Sequence, residues 1–436
     1  MNHPPTTTAV TSAAEKNNSC AEGQERRTLN DSNREELEGS YCKMSINNNP
    51  SKQPPPGKTR WGRDRLPHKQ TANGFSLWSI LKKCFGRELY KVAMPVEFNE
   101  PLSFLQRMTE TFEYAGLLER AATKDDPVER MQLVSAFAIA ALSSNLDRLK
   151  KPFNPLLAET YELDRTKHED GFRVVCEQVS HHPPISAFHG ESVKGTYVVE
   201  GCVNPRIKFW GRSVEIRPEG SVRVRFPQRK NEEYVWTNVN CCIHNIIIGT
   251  LYFEQYGDQV ITCEQTELQC RINYKAANGP TDIQLHSILG YIINKAGQKV
   301  AKISGRWCHE VYTYSMAAEG GEPLWQVTPR SPHSSDYFNF TDMAMALNEM
   351  PKITARRMPP TDSRYRPDIR LLEQGDLNGA ASEKQRLEEK QREARKRRGK
   401  DADWKPLWFE KVTDTYWRYV GGYWDRPADM RLPDIF

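Results

Sequence analysis

Two adjacent histidines, His181 and His182, stand between an apolar run, Val174 to Val179, and two prolines, Pro183 and Pro184, in the stretch EQVSHHPP. Imidazoles can ligate a metal, move a proton or bind an anion, and the surroundings decide among these chemistries. A zinc site needs further His, Cys or carboxylate ligands at a familiar spacing, and neighbours on a strand point to opposite faces; the stretch meets neither condition. General-base work needs a nucleophile, yet the chain has no G-x-S-x-G, no H-E-x-x-H and no glycine-rich phosphate loop, so hydrolase chemistry is not signalled. Anion recognition fits better. Pro183 keeps His182 extended, and the proline pair interrupts the strand alternation so that both rings can reach one phosphate. Two half-exposed histidines bonded to carbonyls are the plainer alternative.

A second constellation lies in EKQRLEEKQR, where Lys384, Glu388 and Arg392 recur at i, i+4 and i+8. On a helix they share a face, so two cations can meet one headgroup while Glu388 orients them or bonds hydroxyls. An ordinary solvated helix, with ion pairs of about 0.3–0.5 kcal/mol each, is the competing reading.

The elements that must hold these groups can be read from periodicity. From Phe172 to about Arg306 the period is two, with Gly, Pro, Asn or charged turns between the runs and no helices between them; at least nine antiparallel strands are expected. The fold class is therefore mainly β with α: a large antiparallel sheet that closes, at least incompletely, into a barrel, because long open edges invite aggregation. Helical patterns at 101–121 and 126–149 precede it, the second with a strong start at Asp126-Pro127 and Glu129. FSLWSILKKCF, from Phe75, has an amphipathic helical pattern, and VAMPVEFNEP after it reads as an extended entry. PPTDSRYRPDIRLLEQGD reads as extended and loop-like, 381–400 as a basic charged helix, and the end is rich in aromatics: Trp404, Trp408, Phe409, Tyr416, Trp417, Tyr419, Tyr423 and Trp424. Residues 1–70 are polar and proline-rich, too poor in apolar side chains to offset the entropy of ordering, and are expected to be a disordered tail.

Composition bounds the partners. Among 436 residues, 61 basic and 56 acidic side chains give a net charge of +5, which suits an anionic membrane surface or acidic ligand better than a nucleic-acid backbone. The basic helix interleaves acids and lacks aromatic spacing for base stacking, so no nucleic-acid partner is expected. Ten cysteines spread over the chain, with no secretory segment, read as reduced thiols of a cytosolic protein. The longest apolar stretch, Leu133 to Leu142, is far short of the roughly 20 residues that span a bilayer.

EQVSHHPP, together with KPFNPLLAE at Lys151 to Glu159, PPTDSRYRPDIR, EKQRLEEKQR and the lid-like FSLWSILKK, resembles the oxysterol-binding-protein-related lipid-transfer family over the chain from about residue 75 onward. The resemblance implies an incomplete antiparallel barrel around a hydrophobic lipid tunnel, an N-terminal lid and entry segment (71–100), bracing helices (101–150), the barrel at about 152–310 and a C-terminal subdomain at about 311–436. It implies a non-enzymatic protein without cofactor or metal that binds a sterol, such as cholesterol or an oxysterol, and a phosphoinositide, PI4P or PI(4,5)P2, in one tunnel and exchanges them between membranes. Phosphatidylserine as cargo, or a lipid sensor or scaffold that does not transfer, are the alternatives. Carried over by motif, the headgroup residues are Lys151, Asn154, Glu159, His181, His182, Lys384, Glu388 and Arg392; Trp78, Leu81, Leu89, Val92 and Phe153 face the lipid from lid, hinge and tunnel mouth. A sterol left in water would cost on the order of 20 kcal/mol, which is why such a cavity needs a lid. The family usually carries glycine where Ala158 stands. The chain looks like a short form that is almost all lipid-binding domain, cytosolic, with no recognisable endoplasmic-reticulum receptor docking motif. Peripheral contact with anionic membranes is expected through the basic helix, the aromatic end and the tunnel rim.

Overall fold

Where the sequence alternates with period two, the computed structural model builds an antiparallel wall; it describes residues 60–70, 94–316, 320–350, 358–399 and 404–436. Two short strands come first, β1 (Asn99–Ser103) and β2 (Lys151–Phe153), paired in parallel. A 14-stranded sheet follows: β3 (Thr160–Asp164), β4 (Phe172–His181), β5 (Pro184–Ser192), β6 (Val198–Phe209), β7 (Val214–Glu219), β8 (Val222–Phe226), β9 (Glu232–Trp236), β10 (Asn240–His244), β11 (Tyr252–Cys263), β12 (Leu268–Tyr274), β13 (Ser287–Ile293), β14 (Lys299–Arg306), β15 (Glu310–Ser315) and β16 (Glu322–Gln326).

The long strand β6 pairs with β7 through Arg206↔Arg217 and with β8 through Gly201↔Val222, so β7 and β8 are one strand with a bend. The bend is at Gly220 (φ 120°), where a Cβ would fall 2.1 Å from the Cys202 carbonyl oxygen and only glycine fits. β9 and β10 form the next bent strand, facing β8 and β7 respectively. The sheet is therefore a meander of chain neighbours, and among the described residues β3 and β16 do not pair with each other, so the wall is incomplete. The β3 edge is instead capped by the segment after 358: Thr160 N–H donates to the Thr361 carbonyl (2.9 Å) and Glu162 N–H to Asp362 Oδ2 (3.1 Å).

Six α-helices stand among the described residues: α1 (Phe104–Thr109), α2 (Gly116–Thr123), α3 (Pro127–Ala140), α4 (Asp342–Ala346), α5 (Pro367–Glu373) and α6 (Leu377–Arg398). The pattern at 101–121 is not one helix. Pro101 lies in β1, the Ser103 N–H is bound by Gln106 Oε1 (2.7 Å) at the true start, and a 3-10 turn at Glu110–Tyr114 divides the rest. α3 starts as expected, with the Asp126 side chain accepting from Val128 N–H (2.9 Å). It stops at Ala140 rather than near 149, because Ser143 Oγ bonds back to the Ala140 carbonyl (2.7 Å) and Ser143–Asn145 tightens into 3-10 form. α5 was hidden in the stretch expected to be loop-like; Pro367 opens it at N1, where the missing N–H costs nothing.

α3 packs on the sheet, with Phe137 edge-on to Trp236 (6.3 Å). Phe112 stacks on Phe172 (5.6 Å) and meets Phe188 edge-on (6.0 Å). Arg148, fully buried, joins β1 to the helices through Glu100 (2.7 Å) and Glu110. β4 is covered on both faces: Val174 and Cys176 join the main core, whereas Val175 and Val179 lie under Trp408, Phe409, Trp417 and Tyr423. This corrects the expectation for the aromatic end. Its hairpin, β17 (Phe409–Thr413) and β18 (Tyr416–Tyr419), with the flanking Trp408 and Tyr423, buries four of the eight rings against the sheet, so those four do not face a membrane.

The order also begins earlier than the expected boundary at 70. Leu66 is buried in the core, the Arg165 guanidinium lies 4.1 Å over the Trp61 ring, and Arg63 Nε donates to the Met345 carbonyl (2.6 Å). The apolar pair Trp61 and Leu66 supplies enough burial to hold an otherwise polar segment. All of this lies in one unit, Pro54–Phe436. No described helix is long and apolar enough to cross a membrane.

Candidate anion-binding site

Three elements converge on the predicted cations. Lys151 opens β2, His181 and His182 form the tip of the β4–β5 hairpin, and Lys384 and Glu388 project from α6. The hairpin turns at once: His181 pairs with Pro184, the His182–Pro183 peptide is cis, and Ser180 Oγ donates to the Pro183 carbonyl (2.7 Å). The two imidazole centroids lie 4.7 Å apart, with the ring planes at 66°.

Gln391 locks the assembly. Its Oε1 accepts from the Leu157 N–H (2.8 Å) and its Nε2 donates to His181 Nε2 (2.9 Å), so one side chain of α6 fixes both the loop after β2 and the histidine tip. Lys151 Nζ donates to Asn154 Oδ1 (2.7 Å), and Lys384 Nζ to Glu388 Oε1 (2.6 Å). Ala380 and Leu387, on the buried side of α6, anchor the helix.

Electrostatics give the site its character. Burial pushes Lys151 down to about 8, with Lys384 adding to the effect, Glu388 opposing it and Arg366 lowering it further. Burial likewise brings His181 down to about 4, with His182, Arg395 and Arg366 acting in the same direction and the Pro155 carbonyl opposing. Lys151, Lys384, Arg366 and Arg395, with one carboxylate among them, form a positive cradle around the His181 ring that a bound anion would relax. At neutral pH His181 is an uncharged ring that accepts from Gln391.

Several expected residues have other duties. Glu159 is fully buried: Oε1 accepts from Ser103 Oγ (2.5 Å) and Ser363 Oγ (2.6 Å), and Oε2 from Leu156 N–H (2.9 Å) and Arg366 (2.9 Å). With its acceptors taken by the protein, it positions the Lys151 loop and does not contact a headgroup. Phe153 packs with Val96, Ile369, Leu372 and Ala380 between β2 and the C-terminal helices, so it is a core residue rather than one at a tunnel mouth. Arg392 lies about 80° around α6 from Lys384, is 60% exposed and pairs with Glu389 at 3.8 Å. Trp78, Leu81, Leu89 and Val92 lie outside the described residues. Sequence reasoning missed Gln391 and Arg395, although 384, 388, 391 and 395 follow the i, i+4, i+7, i+11 rhythm of a single helix face. Ala158, at the position the family usually fills with glycine, has φ 70° and donates its N–H to the Gln178 carbonyl (3.1 Å).

The sequence pattern of the oxysterol-binding protein family matches residues 76–428. The chain belongs to this family. Human oxysterol-binding protein-related protein 1 is 44% identical over a 411-residue alignment that covers 84% of this chain and 43% of that protein, so the chain spans less than half of that relative's length. Among solved structures, the Osh1 ORD domain in complex with cholesterol superposes with a TM-score of 0.75 at 33% identity, covering 83% of this chain and 90% of that one. The Osh3 ORD in complex with PI(4)P from Saccharomyces cerevisiae superposes with a TM-score of 0.74 at 36% identity, covering 84% and 95%. The mainly β fold, with its large antiparallel sheet, is thus that of the family's lipid-binding domain.

Proposed function

We propose that this protein carries a sterol and a phosphoinositide in alternation in one lipid tunnel and exchanges them between membranes, without catalysis, as a cytosolic protein in peripheral contact with anionic bilayers. The observation that carries the reading is the convergence of Lys151, the His181–His182 tip and Lys384 from three separate elements, with Arg366 and Arg395 close enough to act on them, so that neutral imidazole and positive amines border one place. Family neighbours with cholesterol bound in one case and PI(4)P in the other support the pair of cargoes. Asn154 and Glu388 hold the two lysine amines, Gln391 and Glu159 position the loop and the ring, and Arg395 and Arg392 extend the positive field along α6. Each charge-assisted bond to phosphate contributes about 1.5–3 kcal/mol, so three or four discriminate a phosphorylated headgroup from a bare sterol hydroxyl.

The test is lipid extraction from liposomes. His181→Ala combined with His182→Ala abolishes extraction of the phosphoinositide and leaves sterol extraction largely intact. Equal loss of both cargoes in a variant that still folds overturns the headgroup role.

A further inference from the structure

Two hairpin tips carry apolar side chains that the fold leaves in water. Trp210, between β6 and β7, is 62% exposed, and Ile247 and Ile248, between β10 and β11, are 36% and 73% exposed. The tips touch: Ile246 N–H donates to the Arg212 carbonyl (3.1 Å). They are also rigid. Ile246 is buried among Ile207, Phe209, Val214, Ile243 and Leu251, a small core separate from the main one. Trp210 N–H donates to the Ser213 carbonyl (2.9 Å), Trp210 Nε1 to Glu215 Oε2 (2.9 Å), and Asn245 Nδ2 to the Thr250 carbonyl (2.8 Å). A fixed scaffold thus presents its rings and branched chains outward.

Their surroundings select the partner. Residues 205–213 contain Arg206, Lys208 and Arg212 and no acid, and residues 241–253 contain no acid either. Lys208 Nζ lies 5.9 Å from the Trp210 ring. Two carboxylates flank the tips, but both are engaged: Glu215 by the Trp210 indole N–H and Arg217, and Glu254 by His244. An amphipathic indole beside isoleucines, with Arg206, Lys208 and Arg212 at the tip, matches the boundary of an anionic bilayer, where the apolar groups enter the acyl region and the bases meet the headgroups.

Topology decides where this surface faces. In the meander β4, β6 and β10 all run the same way, so the histidine tip and both apolar tips lie at one end of the sheet. With Ser186 opposite Val203, β6 and β7 overhang the His182–Pro183 turn by about 15 Å.

We propose that the paired tips at Trp210 and at Ile247 and Ile248 are a membrane anchor that inserts into anionic bilayers and brings the cationic cradle's end of the sheet to the lipid surface. The purpose of the anchor rests on the lipid-exchange reading; the docking itself does not.

The experiment pellets the full chain with vesicles of phosphatidylcholine alone or with phosphatidylserine, free of sterol and phosphoinositide so that no cargo contributes. Wild type pellets with the anionic vesicles. Trp210→Ala and Ile248→Ser each lower the partition about tenfold and together abolish it, as expected for a buried large apolar side chain, and Lys208→Glu with Arg212→Glu removes the preference for phosphatidylserine. Melting curves of these surface variants match wild type. Variants that pellet like wild type overturn the anchor, as does a wild type that ignores both vesicles, or tip variants that change the oligomeric state in solution, which would assign the patch to a second copy of the chain. Binding of a soluble inositol bisphosphate, followed by calorimetry, separates the two claims: if wild type does not bind it while pelleting still depends on the tips, the cargo reading falls and the anchor stands.

Discussion

His181 shows how one residue can report on the site. Burial, His182 and the guanidinium groups of Arg395 and Arg366 bring it down to about 4 from an ordinary 6.5. Between those values the unfolded chain holds the proton and the folded chain does not, so stability is lost as pH falls from 6.5 toward 4, on the order of 2–3 kcal/mol from this ring. Replacing it by glutamine removes the titration: the drop in unfolding free energy between pH 6.5 and 4.5 should be shallower in His181→Gln than in wild type, and parallel curves would refute the buried neutral ring. Ala158 offers a second residue-scale test. At φ 70° an L-residue with a Cβ is strained by about 1–2 kcal/mol, which glycine relieves while giving back some entropy to the unfolded chain. Ala158→Gly should therefore stabilise by about 0.5–1 kcal/mol in chemical denaturation; a loss of stability contradicts the strain.

At the scale of elements, the site is a helix, a loop and a hairpin tip held in register by Gln391. Truncating that side chain removes no charge, yet it frees the His181 ring and the Leu157 backbone together. Gln391→Ala is expected to weaken headgroup binding about tenfold, to leave sterol uptake nearly unchanged, and to shift the titration of His181 in NMR spectra. Unchanged headgroup affinity would show that α6 contributes charge alone. Elements also show where periodicity misleads: an apolar rhythm continued past Ala140 and through Glu110–Tyr114, but serine back-bonding and a 3-10 turn ended the helices that it suggested.

Within the unit Pro54–Phe436, the described sheet is a meander whose two faces are covered by segments far apart in the chain. α3 and the early helices lie on one face of the sheet, and residues 404–436 on the other, tied down by Glu177, whose two oxygens accept from Leu407 and Trp408 N–H (2.9 Å each). Burial pushes this carboxyl up to about 7 even though both backbone bonds oppose the shift. Removing 404–436 uncovers Val175, Val179, Ile185 and Ala187 together, and the shortened chain is expected to aggregate and to lose its cooperative thermal transition. A soluble monomer that melts like the full chain would count against this.

The sequence alone determined what local physics controls: the strand run in the middle, the Asp126 cap, the proline-ended tip and the common face of Lys384 and Glu388, because periods, caps and turns depend on near neighbours. Its motifs also carried the family. Only the tertiary structure decided that Glu159 and Phe153 are interior, that Gln391 is the bridge, that the aromatic end covers β4 and that Trp210 stands in water. Those outcomes depend on contacts between residues far apart in the chain, and a residue's type does not reveal which partner will cover it.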